Sequence, residues 1–522
     1  METIHPLPSS PGACCRPLKS REAKARGTGW PLGLTILLAA LIPRPTPLDG
    51  QIVPVKTVPV AAGDQFLLFP SQYLSMGGVS LASPDTLGGV FVNPSLGARL
   101  PESFVFGSPA HYSISRRNGS GGTLPLGSLF RSGDWFGGGA LAIQELEGAR
   151  RESWARWDWR PTGTPQLLSE GSARNLYAFG VLGKRFPKRG ISVGISGFWA
   201  DLNAMDGVDL LYAQSEEIRQ SGALADLRLG VTKEWSGDRT LELLLLKSRL
   251  RMRHEVTYRD WVWTPGAPGV EPGGEWMSRE ETNLDHTDTW GVHLAYRRPL
   301  EIPGWRVGWS LTGNWKDHPR IPNYEIQNIP RDPGDTRAFG AGIGIARTEG
   351  PFLAAMEVFL EPIRSQTWAD AASDTVSAEG ITIPAGEKTV ENEFEFTNAL
   401  VRAGGAWVYR QATFRAGIQI RSISYELEQY DHIRVRRRTQ EESWMEWTPG
   451  LGASLRLDGA VFHYSVLFTT GTGRPGVSWS PEALNLPDAE ASSDFILAPS
   501  GPLTLQNARV TTHQLSVVIP IR

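Results

Sequence analysis

The chain has 522 residues, 40% of them apolar and 20% charged, with a net charge of −3. That mild acidity gives no electrostatic footing for nucleic-acid binding. After residue 50 no apolar run is long enough for a membrane-spanning helix, so a helical membrane bundle is excluded.

Residues 1–50 are expected to be a signal peptide or leader. Arg16, Lys19, Arg21, Lys24 and Arg26 precede the apolar run Trp30 to Ile42, the order of a basic n-region and an h-region. The alternative is a single N-terminal anchor. Cys14 and Cys15, the two cysteines of the chain, stand ahead of that run. A lipoprotein cysteine would follow it, and the rest of the chain has no thiol for a disulfide or a metal. Residues 51–100 are punctuated by Gly and Pro and contain no long alternating strand.

From residue 101 to 522 a ladder of two-sided strands appears. In Leu224–Thr232, Ala225, Leu227, Leu229 and Val231 oppose Asp226, Arg228 and Thr232. In Glu242–His254, Leu244, Leu246, Leu250 and Met252 oppose Lys247, Arg249, Arg251 and Arg253. Trp290, Val292, Leu294 and Tyr296 oppose Thr289, His293 and Arg297. Trp305, Val307, Trp309, Leu311 and Trp315 oppose Arg306, Ser310, Thr312, Asn314 and Lys316. Met356, Val358 and Leu360 then oppose Glu357 and Glu361, and Phe414, Ile418 and Ile420 oppose Arg415, Gln419 and Arg421. Phe462, Tyr464, Val466 and Phe468 oppose His463 and Ser465, and the last strand, Thr511 to Ile521, carries Leu515, Val517, Ile519 and Ile521 on one face. A period of two sets such residues on opposite faces of a strand.

Short turns (Arg131–Asp134, Pro187–Gly190, Ser236–Asp238, Glu301–Gly304, Thr348–Gly350, Tyr409–Gln411, Asp458–Gly459) alternate with long connections. The long ones run Glu147–Ser172, Asn203–Ser221, Tyr258–Leu284, Asp317–Asp335, Asp370–Val390, Tyr430–Glu442 and Gly471–Leu505. Outer-membrane barrels have this asymmetry, with short periplasmic turns and longer external loops. Strands of about ten to fifteen residues suit a bilayer crossed at a tilt of ~45°. Tryptophans gather near both ends of the strands: Trp135, Trp235, Trp305 and Trp407 by the short turns, and Trp154, Trp157, Trp159, Trp261, Trp263, Trp315, Trp368, Trp444 and Trp447 by the long ones. They are expected to form two interfacial girdles. The fold class is therefore all-β, a transmembrane antiparallel barrel of about 14–16 strands, with charged residues expected to face the lumen.

Between the leader and the barrel stand Gly77-Gly78-Val79-Ser80-Leu81-Ala82-Ser83-Pro84-Asp85 and Val90-Phe91-Val92-Asn93-Pro94-Ser95-Leu96. This run resembles the start of the FadL/TodX-type outer-membrane transporters and the related PorV proteins, where a Gly-Gly…Asp…Asn-Pro pattern precedes the first barrel strand. Ser95 stands where the family usually has Ala, and Gly97 follows Leu96 rather than preceding it. The resemblance implies that residues 51–100 form a hatch inside the lumen, with Gly77, Gly78, Asp85, Asn93 and Pro94 as its motif; a periplasmic tail is the alternative. It implies passive uptake of small hydrophobic or amphipathic molecules, or, on the PorV side, a role among secretion-system proteins. A structural barrel whose loops bind surface partners is the third reading.

The lumen-facing candidates are Asp226, Arg228, Lys247, Arg249, Arg251, Arg253, His293, Arg306, Glu357, Glu361, Arg415 and Arg421. The column Lys247 to Arg253 is expected either to attract anions or to pair with Asp226, Glu357 and Glu361. Gly340, Gly342 and Gly344 are expected as a small-residue stripe facing the lumen. The stretch Asp201 to Asp209 misses the spacing of a calcium loop, and no catalytic residue or cofactor is expected; His463 beside Ser465 is the nearest pair to a hydrolase site. Partners are outer-membrane lipid, with a hydrophobic small-molecule ligand or secretion proteins according to the reading, at the bacterial outer membrane.

Overall fold

The computed structural model describes residue 52 and residues 56–148, 172–206, 217–264, 273–318, 334–371, 374–475 and 505–521. The leader, Trp154, Trp157 and Trp159, and the side chains of Trp261 and Trp263 lie outside the described residues. Sixteen antiparallel strands close into a barrel. Strand β1 comes in two pieces, Ser103–Gly107 and Ala110–Ile114. There follow β2 (Ser120–Ser132), β3 (Trp135–Glu147), β4 (Ser172–Phe186), β5 (Ile191–Leu202) and β6 (Glu217–Trp235). Next come β7 (Arg239–Thr264), β8 (Gly273–Pro299), β9 (Trp305–His318), β10 (Gly334–Glu349) and β11 (Phe352–Asp370). The circuit ends with β12 (Lys388–Tyr409), β13 (Ala412–Asp431), β14 (Arg436–Leu457), β15 (Ala460–Pro475) and β16 (Leu505–Ile521).

Each strand pairs with its successor. The last returns to the first, with Ser103 opposite Ile521 and Ile114 opposite Val510. Both pieces of β1 keep one register against β2 and β16, so Ser108 and Pro109 interrupt a single strand rather than divide two. Closure leaves no edge, which lipid requires because it offers no partner to a free N–H or C=O.

The outer face is apolar. Leu311, Ile343, Leu360 and Leu451 are all more than half exposed there, while their strand neighbours Ser310, Glu357, Glu361 and Gly342 are buried on the inner face. Trp135, Trp235 and Trp407 stand outward at the short-turn end, and Trp290 and Trp447 at the other. Trp444 departs from the girdle: it lies on the lumenal face and packs on Tyr425 at 5.7 Å.

In two of the expected long connections much of the described chain is strand instead. β7 and β8 pair from Thr240–Arg297 through to Thr264–Gly273, across the stretch Tyr258–Leu284. β13 and β14 pair out to Asp431–Arg436, leaving a turn of His432–Val435 where Tyr430–Glu442 was expected as a loop. At ~3.3 Å per residue and a ~45° tilt, the 26 residues of β7 rise about 60 Å, twice the ~30 Å hydrocarbon thickness. Beyond the lipid both faces of a hairpin can be polar, so the alternation fades while the ladder continues.

Residues 56–102 run inside the wall. They enter at the level of β14 and β15, where Lys56 Nζ meets Glu446 at 2.5 Å and Val60 bridges to Gly473. They leave at the short-turn end, where Arg131 donates to the Leu100 carbonyl. On the way they bury Phe66 and Leu68 against Tyr177, Leu202, Leu224, Leu250 and Met252 of the wall.

Candidate functional site

The inner segment is tied together by its own short-range chemistry. Asp85 accepts from the Ser71 hydroxyl at 2.6 Å and from the backbone N–H groups of Gln72, Leu87 and Gly88 at 2.9–3.0 Å. Gly77 and Gly78 both adopt φ near +70°, a region that side chains with a Cβ rarely enter. Asn93 caps the turn Pro94–Arg99 by accepting from Ser95 N, the fixed φ of Pro94 suiting the first turn position.

That turn is seated on two wall glycines. A Cβ on Gly230 of β6 would fall 2.0 Å from Asn93 Oδ1, and one on Gly194 of β5 would fall 2.7 Å from the Pro94 carbonyl carbon. Met76 is received in the same manner by Gly404 of β12 and Gly417 of β13. Around Asn93, Ser95 Oγ lies 2.6 Å from Thr232 Oγ1, and Arg99 reaches Glu234 at 2.8 Å and Thr240 at 2.9 Å.

Between the segment and the wall lies a cavity of about 520 Å³. One side is aromatic. Phe69 and Phe91 stack with centroids 4.1 Å apart and an interplanar angle of 5°, and Phe179 of β4 meets them at 5.1 and 5.2 Å. Phe66 and Phe198 continue that lining. The other side is polar and carries three ion pairs together with Arg402, which donates to the Gly78 carbonyl at 3.4 Å and to Gln419 at 3.3 Å. Arg228 holds Asp226 through two hydrogen bonds at 3.0 and 3.1 Å and donates to the Val92 carbonyl at 3.1 Å. Arg297 meets Glu242 at 2.5 Å, and Arg421 meets Glu361 at 2.6 Å. His293 Nδ1 lies 2.8 Å from Thr312 Oγ1. Paired charges cost far less to bury than single ones, so the polar side can line a closed space. Chemically, the cavity can hold a molecule with an apolar body and a few polar atoms.

The structure places Asn93 and Pro94 buried inside the wall. Asp226, Arg228, His293, Glu357, Glu361, Arg415 and Arg421 lie on the lumenal face. Of these, Asp226, Arg228, His293 and Glu361 line the cavity itself. Glu357 instead binds the segment, accepting from the N–H groups of Ser80 (2.7 Å) and Leu81. Arg306 sits at the short-turn rim, exposed, 3.3 Å from Asp238. Gly340, Gly342 and Gly344 are buried on the inner face, with Leu81 of the segment packed over Gly344. His463 bonds Ser454 on the neighbouring strand at 2.7 Å, so Ser465 is not its partner.

The expectation fails for Lys247, Arg249, Arg251 and Arg253. These four project outward, and Leu244, Leu246, Leu250 and Met252 are the buried, lumenal set. The reason is the inner segment: it presents Phe66 and Leu68 to β7, so the lumen there is apolar rather than wet. Of Arg434, Arg436, Arg437 and Arg438, all expected in an external connection, Arg434 lies in the turn and the other three are strand residues of β14. Sequence reasoning missed the aromatic side formed by Phe69, Phe91 and Phe179. It also missed the docking glycines, whose signal was Gly recurring at lumenal positions of strands.

No family model matches this chain, and no curated protein matches it. Among solved structures the chain is similar to a FadL homologue from Pseudomonas aeruginosa, at 10% identity, covering 90% of this chain and 100% of that one with a TM-score of 0.42. It is similar to the toluene transporter TodX of Pseudomonas putida at 11% identity, covering 89% and 100%, with a TM-score of 0.40. The toluene transporter TbuX of Ralstonia pickettii matches at 10% identity over 88% and 100%, with a TM-score of 0.36.

Proposed function

We propose that this chain is an outer-membrane barrel for passive uptake of small hydrophobic or amphipathic molecules, with residues 51–100 acting as a hatch. The observation that carries the reading is the cavity between Phe69, Phe91 and Phe179 and the neutralised pairs Asp226–Arg228 and Glu242–Arg297. Its volume of about 520 Å³ falls in the ~300–1,000 Å³ range of small-molecule sites, and a mostly apolar lining with a few fixed polar groups is their usual chemistry. The ion pairs keep most of the polar lining from demanding a charged ligand, and Arg402 offers one cation to a ligand's polar end.

A route out of the lumen is proposed at β1. Pro109 supplies no N–H toward β16, and Pro125 of β2 supplies none toward Ser108. Phe106, next along β1, touches Phe91 of the cavity lining at 5.6 Å. The ladder thus lacks two N–H donors beside the aromatic side, where an apolar ligand could pass sideways into lipid.

The test is binding of a fluorescent fatty acid and of naphthalene to the purified barrel in detergent. Ala295 is buried and lines the cavity, so Ala295→Trp fills it. The expected outcome is a loss of affinity of at least about tenfold, the effect of ~1.4 kcal/mol, in a barrel that still closes. Unchanged binding of both probes by that variant would refute the reading.

A further inference from the structure

The column that sequence reasoning placed in the lumen forms, on the outside, a site with a floor, a rim and an apolar approach. Lys247, Arg249 and Arg251 of β7 converge on one carboxylate, Asp288 of β8, at 3.3, 3.1 and 2.6 Å. Three cations on one acid leave positive charge over, and Arg249 stays 62% exposed. Asp317 of β9 stands beside Asp288 on the side away from the cations. On their other flank, β6 offers Ala225 opposite Arg249 and Ala223 opposite Arg251, small uncharged residues that leave room against the wall.

The position is as telling as the charge. Immediately toward the short turns, the same outward faces carry Leu227 and Leu229 on β6 and Leu243 and Leu245 on β7, all exposed. Trp290 marks the boundary, 60% exposed, with Lys247 Nζ 4.7 Å from its ring centre. An interfacial Trp beside a Lys is where the hydrocarbon ends and headgroups begin. The cations therefore sit at headgroup level, toward the long connections.

We propose that this face binds the headgroup phosphate of an anionic membrane lipid in the leaflet on the long-connection side. The phosphate takes Arg249 and Arg251 from the Ala223–Ala225 flank, with Lys247 below it, and the acyl chains lie along Leu227, Leu229 and Leu243. Guanidinium groups suit this because they meet phosphate oxygens two at a time. The inference rests on the barrel's placement in a bilayer and is independent of what the cavity holds.

Native mass spectrometry of the full chain from mixed micelles of phosphatidylglycerol and phosphatidylcholine tests it. The parent is expected to retain phosphatidylglycerol over phosphatidylcholine by at least about tenfold, the scale of one charge-assisted hydrogen bond. The variant Lys247→Gln/Arg249→Gln/Arg251→Gln is expected to retain the two lipids equally. Asp288→Asn, which removes the internal competitor, is expected to raise phosphatidylglycerol retention, and it decides the matter if the triple variant does not close its barrel. Absence of preference in the parent, an unchanged preference in the triple variant or a fall in Asp288→Asn overturns the proposal. Displacement of the lipid by equimolar inorganic phosphate overturns it too, since the site would then read the free anion rather than the lipid.

Discussion

Replacing Gly230 with Ala tests how the inner segment is held. The added Cβ would lie 2.0 Å from Asn93 Oδ1 and 3.0 Å from Ser95 N, so one of them has to move. Asn93 cannot swing aside freely: its Oδ1 accepts from Ser95 Oγ at 2.8 Å and from Ser95 N at 3.2 Å, and its Nδ2 faces Glu242 at 3.4 Å. Overpacking of this kind costs ~1–3 kcal/mol, and loss of the cap adds about 1 kcal/mol. A local cost of about 2–4 kcal/mol speeds exchange of the Ser95 amide roughly thirty- to a thousandfold if that amide exchanges through release of the turn. The barrel ladder is untouched, so its melting shifts little. Gly197 on β5 is the control, because a Cβ there meets nothing within 4 Å. Hydrogen exchange on Gly230→Ala and Gly197→Ala is the assay. Equal protection of Ser95 in Gly230→Ala and the parent, or equal loss in both variants, refutes the docking argument.

Two further outcomes follow from the wall. Ser108 Oγ and Ser516 Oγ meet at 2.6 Å across β1 and β16, and directly opposed residues that share no ladder bond sit ~4.5 Å apart at Cα, within disulfide reach. Oxidised Ser108→Cys/Ser516→Cys, which keeps both prolines, is expected to slow uptake of a hydrophobic probe into cells and to recover on adding reductant; uptake indifferent to redox state would rule out the lateral route. Leu311, 54% exposed on the outer face of β9, becomes a charge in lipid in Leu311→Arg. That variant is expected to lose ~2–4 kcal/mol in unfolding titrations from lipid vesicles, whereas a loss under about 0.5 kcal/mol would mean that Leu311 does not face the bilayer centre.

Much of the barrel was legible because a strand has only two faces and most strands here give them different chemistry. β9 is the clear case: Trp305, Val307, Trp309 and Leu311 could face only lipid once Ser310, Thr312 and Asn314 took the interior. The short turns were legible too, since Gly and Pro punctuate them. The hatch-like run around Asn93 and Pro94 was visible as a motif, but its seat was not, since Gly194 and Gly230 lie on strands far along the chain. The aromatic side of the cavity was illegible for the same reason: Phe69, Phe91 and Phe179 meet only after the chain has closed on itself.

On β7 the sequence alone determined that two sets of residues face opposite ways, and nothing more. Leu243 and Leu245 stand on one face, Leu244 and Leu246 on the other, so apolarity does not choose between them. The choice was made by what fills the lumen. Phe66 and Leu68 of the inner segment cover Leu250 and Met252, and the period of two then turns Lys247, Arg249 and Arg251 outward. Periodicity is a local property and comes with the chain; which face is inside is a property of packing, and only the closed barrel with its occupied interior decides it.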